Sequence, residues 1–123
     1  MARKADDPSR IGHMIDFARK AIHFCQGKTR DDLATDEVLQ LALVRLIEMI
    51  GEAANRVTKA TCNAHPEIPW PQIVGMRNRL IHGYDQVNLD LLWQTLQQDL
   101  NPLIEQLERL RAPNESDAST PPN

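Results

Sequence analysis

This chain has little of what usually narrows a protein's class at a glance. Aromatic side chains make up 4% of its 123 residues, so the core has to be aliphatic, built from Leu, Ile, Val, Met and Ala. Its two cysteines, Cys25 and Cys62, lie far apart and form no CxxC pair. That usage reads as two structural thiols in a reduced, cytoplasmic protein. Cys62 and His65 would need two more ligands from nowhere obvious, so neither a metal nor another cofactor is expected. MARKADDPSR at the N-terminus has no apolar signal-peptide core, and no apolar run reaches the length that spans a bilayer. A soluble protein is expected. There is no basic excess either: the formal charge is −3 and the pI about 5.7. A generally basic nucleic-acid binder is therefore disfavoured, although a local cleft needs only a few positioned cations. Internal repeats and strand-like alternation are also missing.

What is present is helical periodicity. A hydrophobic share of 41% and a charged share of 25% suit one globular domain. Ile11, Met14, Ile15, Ala18, Ile22 and Cys25 form one stripe, capped by Asp7 or Ser9 and stopped by Gly27. A cap at Thr35 opens a second long helix to about Thr58, with Leu39, Leu43, Leu46, Ile50, Ala53 and Val57 inward. Gly51, Ala53 and Ala54 are small enough to let another helix approach. Arg45, Glu48, Glu52 and Asn55 make a polar stripe on this helix, which is either a solvated face or a source of supporting carboxylates. Residues 58–69 read as a connector. Asn88 is the expected N-cap of a last helix carrying Leu89, Leu92, Leu96, Leu100, Leu103, Leu107 and Leu110, with a kink at Pro102. The expected fold is all-α: an up-and-down bundle of four main helices plus short connector turns. Residues 1–8 are expected to be a flexible N-terminus, 9–112 the helical domain, and 113–123 a disordered tail without a large apolar residue.

The chemistry concentrates between Trp70 and Tyr84. A third helix is expected here, opened by prolines and closed by Gly83, with Ile73, Met76 and Leu80 inward. Arg77, Asn78, Arg79, His82 and Tyr84 crowd into eight residues. On a helix Asn78 and His82, four apart, share a face, and Arg77 can swing towards it. An imidazole titrates near neutral pH and moves protons. A guanidinium is a permanent positive fork that matches phosphate oxygens. Together, with no carboxylate pair beside them, they suit phosphodiester cleavage in which the substrate supplies the nucleophile. The plain structural alternative is a pair of cations satisfying a helix C-terminus. Glu48 and Glu52 are candidates to orient Arg77 or His82 as supporting residues.

The pattern Arg77-x4-His82-x-Tyr84, read as RNRLIHGY, resembles the Rx4HxY signature of HepT-like proteins in the HEPN superfamily. The likeness extends through IPWPQIVGMRNRLIHGY, RLIEMIGEAANRV and VNLDLLW, covering roughly residues 9–111. It implies a dimeric, metal-independent ribonuclease toxin with the HEPN fold. Arg77 and His82 would be catalytic, with Asn78 holding the phosphate or the imidazole. The implied partner is a small MntA-like nucleotidyltransferase antitoxin, which would transfer AMP to Tyr84. A second possibility is a catalytically silent HEPN module that docks a nucleotidyltransferase. A third, a purely structural helical dimer, leaves the polar cluster unexplained.

Overall fold

The computed structural model describes residues 6–82 and 86–119, with His82 and residues 112–119 described as backbone alone. The centre is a pair of long helices, α1 (Asp7–Phe24) and α3 (Glu37–Asn55), packed along each other. Ile11, Met14, Ile15, Ala18 and Ala21 of α1 meet Leu39, Leu43, Leu46, Ile47 and Ile50 of α3, all buried. These are the inward faces that the three-four spacing marks out. Phe24, the last residue of α1, stays exposed. Each fully buried Leu or Ile contributes about 1.5–3 kcal/mol by leaving water. The buried core is mostly aliphatic, with Trp70 its one buried aromatic among the described residues and Phe17 and Trp93 packed half-buried against it.

Short polar devices punctuate the chain. Gly27 takes a positive φ of 75° after α1, a conformation cheap only for glycine. Thr29 and Asp32 form a reciprocal capping box on α2 (Arg30–Thr35). The cap of α3 is Asp36, accepting from Leu39 N at 3.0 Å. Thr35, the sequence's candidate, instead closes α2, donating its hydroxyl to the Asp31 and Asp32 carbonyls. Asp7 is likewise not a cap. It is the first residue of α1, and its carboxylate accepts from the N–H and hydroxyl of Thr58, the N-cap of α4 (Lys59–Ala64), and from the Thr61 hydroxyl within α4. Burial pushes its pKa up, but those hydrogen bonds, aided by Arg10, outweigh it and hold the carboxyl below its ordinary value.

The segment from Trp70 departs most from sequence expectation. It is not one helix but α5 (Trp70–Val74) and α6 (Met76–Leu80), broken at Gly75. Two residue pairs then form a minimal antiparallel ladder: β1 (Ile81–His82) on β2 (Gln86–Val87). The Leu80 carbonyl accepts from Asn88 N at 2.7 Å, in place of a partner further along a helix. Ile81, β-branched, sits at φ −100° and ψ 125°, a conformation such residues favour. α5 and α6 both lie on α3.

Asn88 caps α7 (Leu89–Gln94) as expected, its side chain accepting from Leu91 N at 3.0 Å. α7 runs through a π-helical turn, Thr95–Asp99, into α8 (Leu100–Ser119). The turn lies just before Pro102, whose ring would crowd the carbonyl four residues back. Widening the ladder there accommodates it, which gives the expected disturbance a definite form. Leu92, Leu96, Leu100, Leu103 and Leu107 remain buried on both sides of it. The α8 backbone continues to Ser119, past Pro113, where composition puts the start of a disordered tail. Extending an existing helix costs far less than nucleating one, so its backbone runs on beyond the apolar seam. Among the described residues no helix is long and apolar enough to cross a membrane.

Candidate functional site

The site is built on α6, a helix of only five residues held by its two apolar ones. Met76 and Leu80, four apart, are buried, and Arg77, Asn78 and Arg79 between them are turned outward. Trp70 anchors the preceding segment: its ring is buried and its Nε1 donates to the His65 carbonyl at 3.1 Å. Gly51 of α3 lets that segment come close. A Cβ there would stand 3.1 Å from the Ile73 carbonyl oxygen and 3.2 Å from that of Val74.

The three polar residues of α6 have different neighbours. Arg77 Nε lies 4.0 Å from Glu48 Oε2 on α3, and its Nη1 donates to Asn78 Oδ1 at 3.4 Å. Glu48 is shared, since its Oε1 also accepts from Arg45 Nη1 at 3.2 Å. Arg45 in turn lies 3.7 Å from Glu52. Glu48 therefore meets Arg77 directly, and Glu52 is one ion pair removed, on Arg45. Arg79 points elsewhere and donates to the Gln72 carbonyl of α5 at 3.2 Å.

His82 does not follow Asn78 on a helical face. It stands on β1, paired with Gln86, because the helix stops at Leu80. The shared-face argument for Asn78 and His82 is thereby corrected. Three residues, Arg79, Leu80 and Ile81, join the two and pass from helix to strand. Tyr84 lies outside the described residues, as does the His82 side chain. Of the sequence candidates, Arg77, Asn78 and Glu48 are brought together. Arg45, in sequence one member of the polar stripe, bridges Glu48 and Glu52. Its central place could be read from the i, i+3 and i, i+7 positions of Glu48 and Glu52.

Chemically the cluster offers an exposed guanidinium with a loosely held carboxylate. It suits an incoming anion, which can take Arg77 while Glu48 keeps Arg45. The two thiols add no nucleophile. Burial pushes both Cys25 and Cys62 up from their ordinary value, Cys62 further by the nearby Asp7 charge, which leaves less thiolate. Among the described residues no three His, Cys, Asp or Glu side chains gather in a way that could hold a metal ion.

The sequence profile described as "Ribonuclease HepT-like" matches residues 14–110, a span from α1 into α8 that includes the whole site. A protein named probable ribonuclease HepT from Thermococcus cleftensis is 36% identical over 96 residues, covering 75% of this chain and 87% of that one. A provisionally named RNase from Caldanaerobacter subterraneus subsp. tengcongensis is 34% identical over 100 residues, covering 81% and 89%. No solved structure gives a significant match. With a profile match over most of its length and relatives of this identity along nearly their whole chains, the protein belongs to the HepT-like ribonuclease family of the HEPN superfamily.

Proposed function

We propose that the protein is a metal-independent endoribonuclease toxin acting as a homodimer, with Arg77 and His82 as its catalytic residues. The observation that carries this reading is the exposed Arg77 guanidinium on α6, five residues before His82, in a chain of this family. Two such motifs facing each other across a dimer interface would form one RNA cleft. A ribose 2'-hydroxyl attacks the adjacent phosphorus and loses its proton to an imidazole. The P–O bond to the next nucleotide breaks, and its 5' oxygen takes up a proton. The products are a 2',3'-cyclic phosphate and a 5'-hydroxyl. Proton transfer by His82 contributes roughly a hundred- to ten-thousand-fold. Arg77 stabilises charge growing on the phosphorane oxygens, with Asn78 as an additional donor to phosphate. Glu48 orients Arg77, and Glu52 holds Arg45 beside it.

Tyr84 is the proposed switch. An MntA-like minimal nucleotidyltransferase antitoxin would join the tyrosine oxygen to the α-phosphorus of ATP and release pyrophosphate. The attached AMP places negative charge two residues from His82, where it competes for Arg77 and repels RNA.

The test is cleavage of a short RNA in excess EDTA, with His82→Ala in parallel and product ends identified. Cyclic phosphate ends that survive the chelator and vanish in the mutant are the expected result. Equal cleavage by His82→Ala overturns the mechanism. No cleavage by unmodified protein moves the reading to a silent module that docks a nucleotidyltransferase. Co-expression with the antitoxin should add AMP mass to the wild type and none to Tyr84→Phe.

A further inference from the structure

A second cationic feature lies next to the candidate site. Between α1 and α3 runs a groove of about 320 Å³, lined by Arg10, His13 and Phe17 on one side and Arg45, Glu52 and Arg56 on the other, among others. With Asp6 included it holds three guanidinium groups against two carboxylates, on a chain whose net charge is −3. Arg45 belongs both to this groove and to the Arg77–Glu48–Arg45–Glu52 chain of ion pairs. Arg45 thus links the groove, through Glu48, to Arg77, where a phosphate would be held. From Arg45 to Arg56 the helical rise covers about 16 Å, which is room for more than one nucleotide of a single strand. His13 and Phe17 stand one turn apart on α1, their ring centroids 6.2 Å apart and tilted by 37°. Both rings line the groove, His13 exposed and Phe17 half-buried against the core, and bases stack on such rings with little regard to sequence.

We propose that this α1–α3 groove binds the RNA strand flanking the scissile phosphate. Arg10, Arg45 and Arg56 contact backbone phosphates, and the His13–Phe17 pair takes a base. The proposal rests on the ribonuclease reading and extends it by naming a second contact region. Glu48 and Glu52 have a part in it: they hold Arg45 on the helix surface, with its guanidinium available to a phosphate edge-on. Arg10 and Arg56 act as the far clamp, one from each helix. A substrate long enough to reach them gains affinity that a substrate covering the scissile step alone does not.

The test is direct binding, so that it does not depend on turnover. Fluorescent, 2'-O-methylated oligonucleotides of three and twelve nucleotides are titrated against wild type, Arg10→Ala/Arg56→Ala and Arg10→Lys/Arg56→Lys at several salt concentrations. Wild type should bind the longer probe much more tightly. The alanine pair should lose roughly ten-fold on that probe, and its salt slope should fall by about 1.4 for two phosphate contacts at about 0.7 each. The lysine pair, which keeps both charges, should retain most of the affinity and the slope. Helical circular dichroism confirms that each variant is folded. An alanine pair with wild-type affinity and salt slope on the longer probe overturns the groove, and reassigns it to a surface for another kind of partner. Cleavage of unmodified twelve-nucleotide RNA by the same wild-type sample tests the ribonuclease reading separately. Length-dependent binding without cleavage would sink that reading alone, and cleavage with no loss in the alanine pair would sink the groove alone.

Discussion

Glu48 stands between two arginines, 3.2 Å from Arg45 on its own helix and 4.0 Å from Arg77 on α6. All three are partly or largely exposed, so the pairs add little to stability: such contacts are worth about 0–1 kcal/mol. On the proposed mechanism their effect is to aim Arg77. Glu48→Gln should leave the thermal midpoint almost unchanged while lowering RNA cleavage several-fold. Glu52→Gln, one ion pair further away, should have the smaller effect on cleavage. A matched melting curve and a kcat and KM comparison check this. Equal loss of cleavage in the two variants would show that Glu48 has no special relation to Arg77.

Gly51 sets how closely the motif segment lies on α3. In an exposed helix, alanine in place of glycine stabilises by about 1 kcal/mol. Here the added Cβ would meet two backbone carbonyl oxygens, of Ile73 and Val74, at 3.1 and 3.2 Å. Backbone cannot rotate away as a side chain can, so α5 has to shift by a few tenths of an ångström. Overpacking of this kind costs typically about 1–3 kcal/mol. Gly51→Ala should therefore lower the urea midpoint instead of raising it, and should reduce cleavage by moving α6. A raised midpoint with full activity would show that the segment has slack at this contact.

The helical class and most of the buried faces were legible because they depend on local spacing. Leu39, Leu43, Leu46 and Ile50 mark α3, and Asn88 marks the start of α7, without reference to anything distant. The break within the motif was not legible. Ile73, Met76 and Leu80 keep a helical spacing across Gly75 although two helices share them. The strand at Ile81–His82 depends on pairing with Gln86–Val87, and no single-helix pattern contains that information. The Asp7 carboxylate reads as a cap in sequence, and its partners at Thr58 and Thr61 lie more than fifty residues away. Arg77 and Glu48 could be named as candidates from residue type, whereas their meeting needed α3 and α6 side by side.

The two thiols should react slowly and in order. Burial pushes both up from their ordinary value, and the thiolate is the reactive form. Cys25 is buried, with its Sγ on the Ile22 carbonyl, whereas Cys62 is half-buried. With a chromogenic disulfide reagent at neutral pH, one thiol should titrate well before the other in folded protein, and both at once in denaturant. Mass mapping should find Cys62 modified first. Modification of Cys25 first would mean that the α1 C-terminus opens more readily than the Cys62 region.

Asp7 gives the molecule a pH dependence whose sign follows from its partners. Thr58 and Thr61 donate to the ionised carboxylate, so its folded pKa lies below the ordinary value of 3.8. Protons then bind the unfolded chain more readily than the folded one as pH falls. The stabilisation is fully present above the unfolded pKa and is lost as pH drops through the folded pKa. Asp7→Asn removes the charge but keeps the shape, and should cost on the order of 1 kcal/mol near neutral pH. Thr58→Ala should cost a similar amount by removing the hydroxyl donor. The gap between wild type and Asp7→Asn should narrow as pH falls through the lowered folded pKa, where the wild-type carboxyl is also protonated. Urea midpoints measured from about pH 7 down to about pH 2.5 check both parts. A gap that stays constant across that range would mean that the contact between α1 and α4 does not depend on the carboxylate charge.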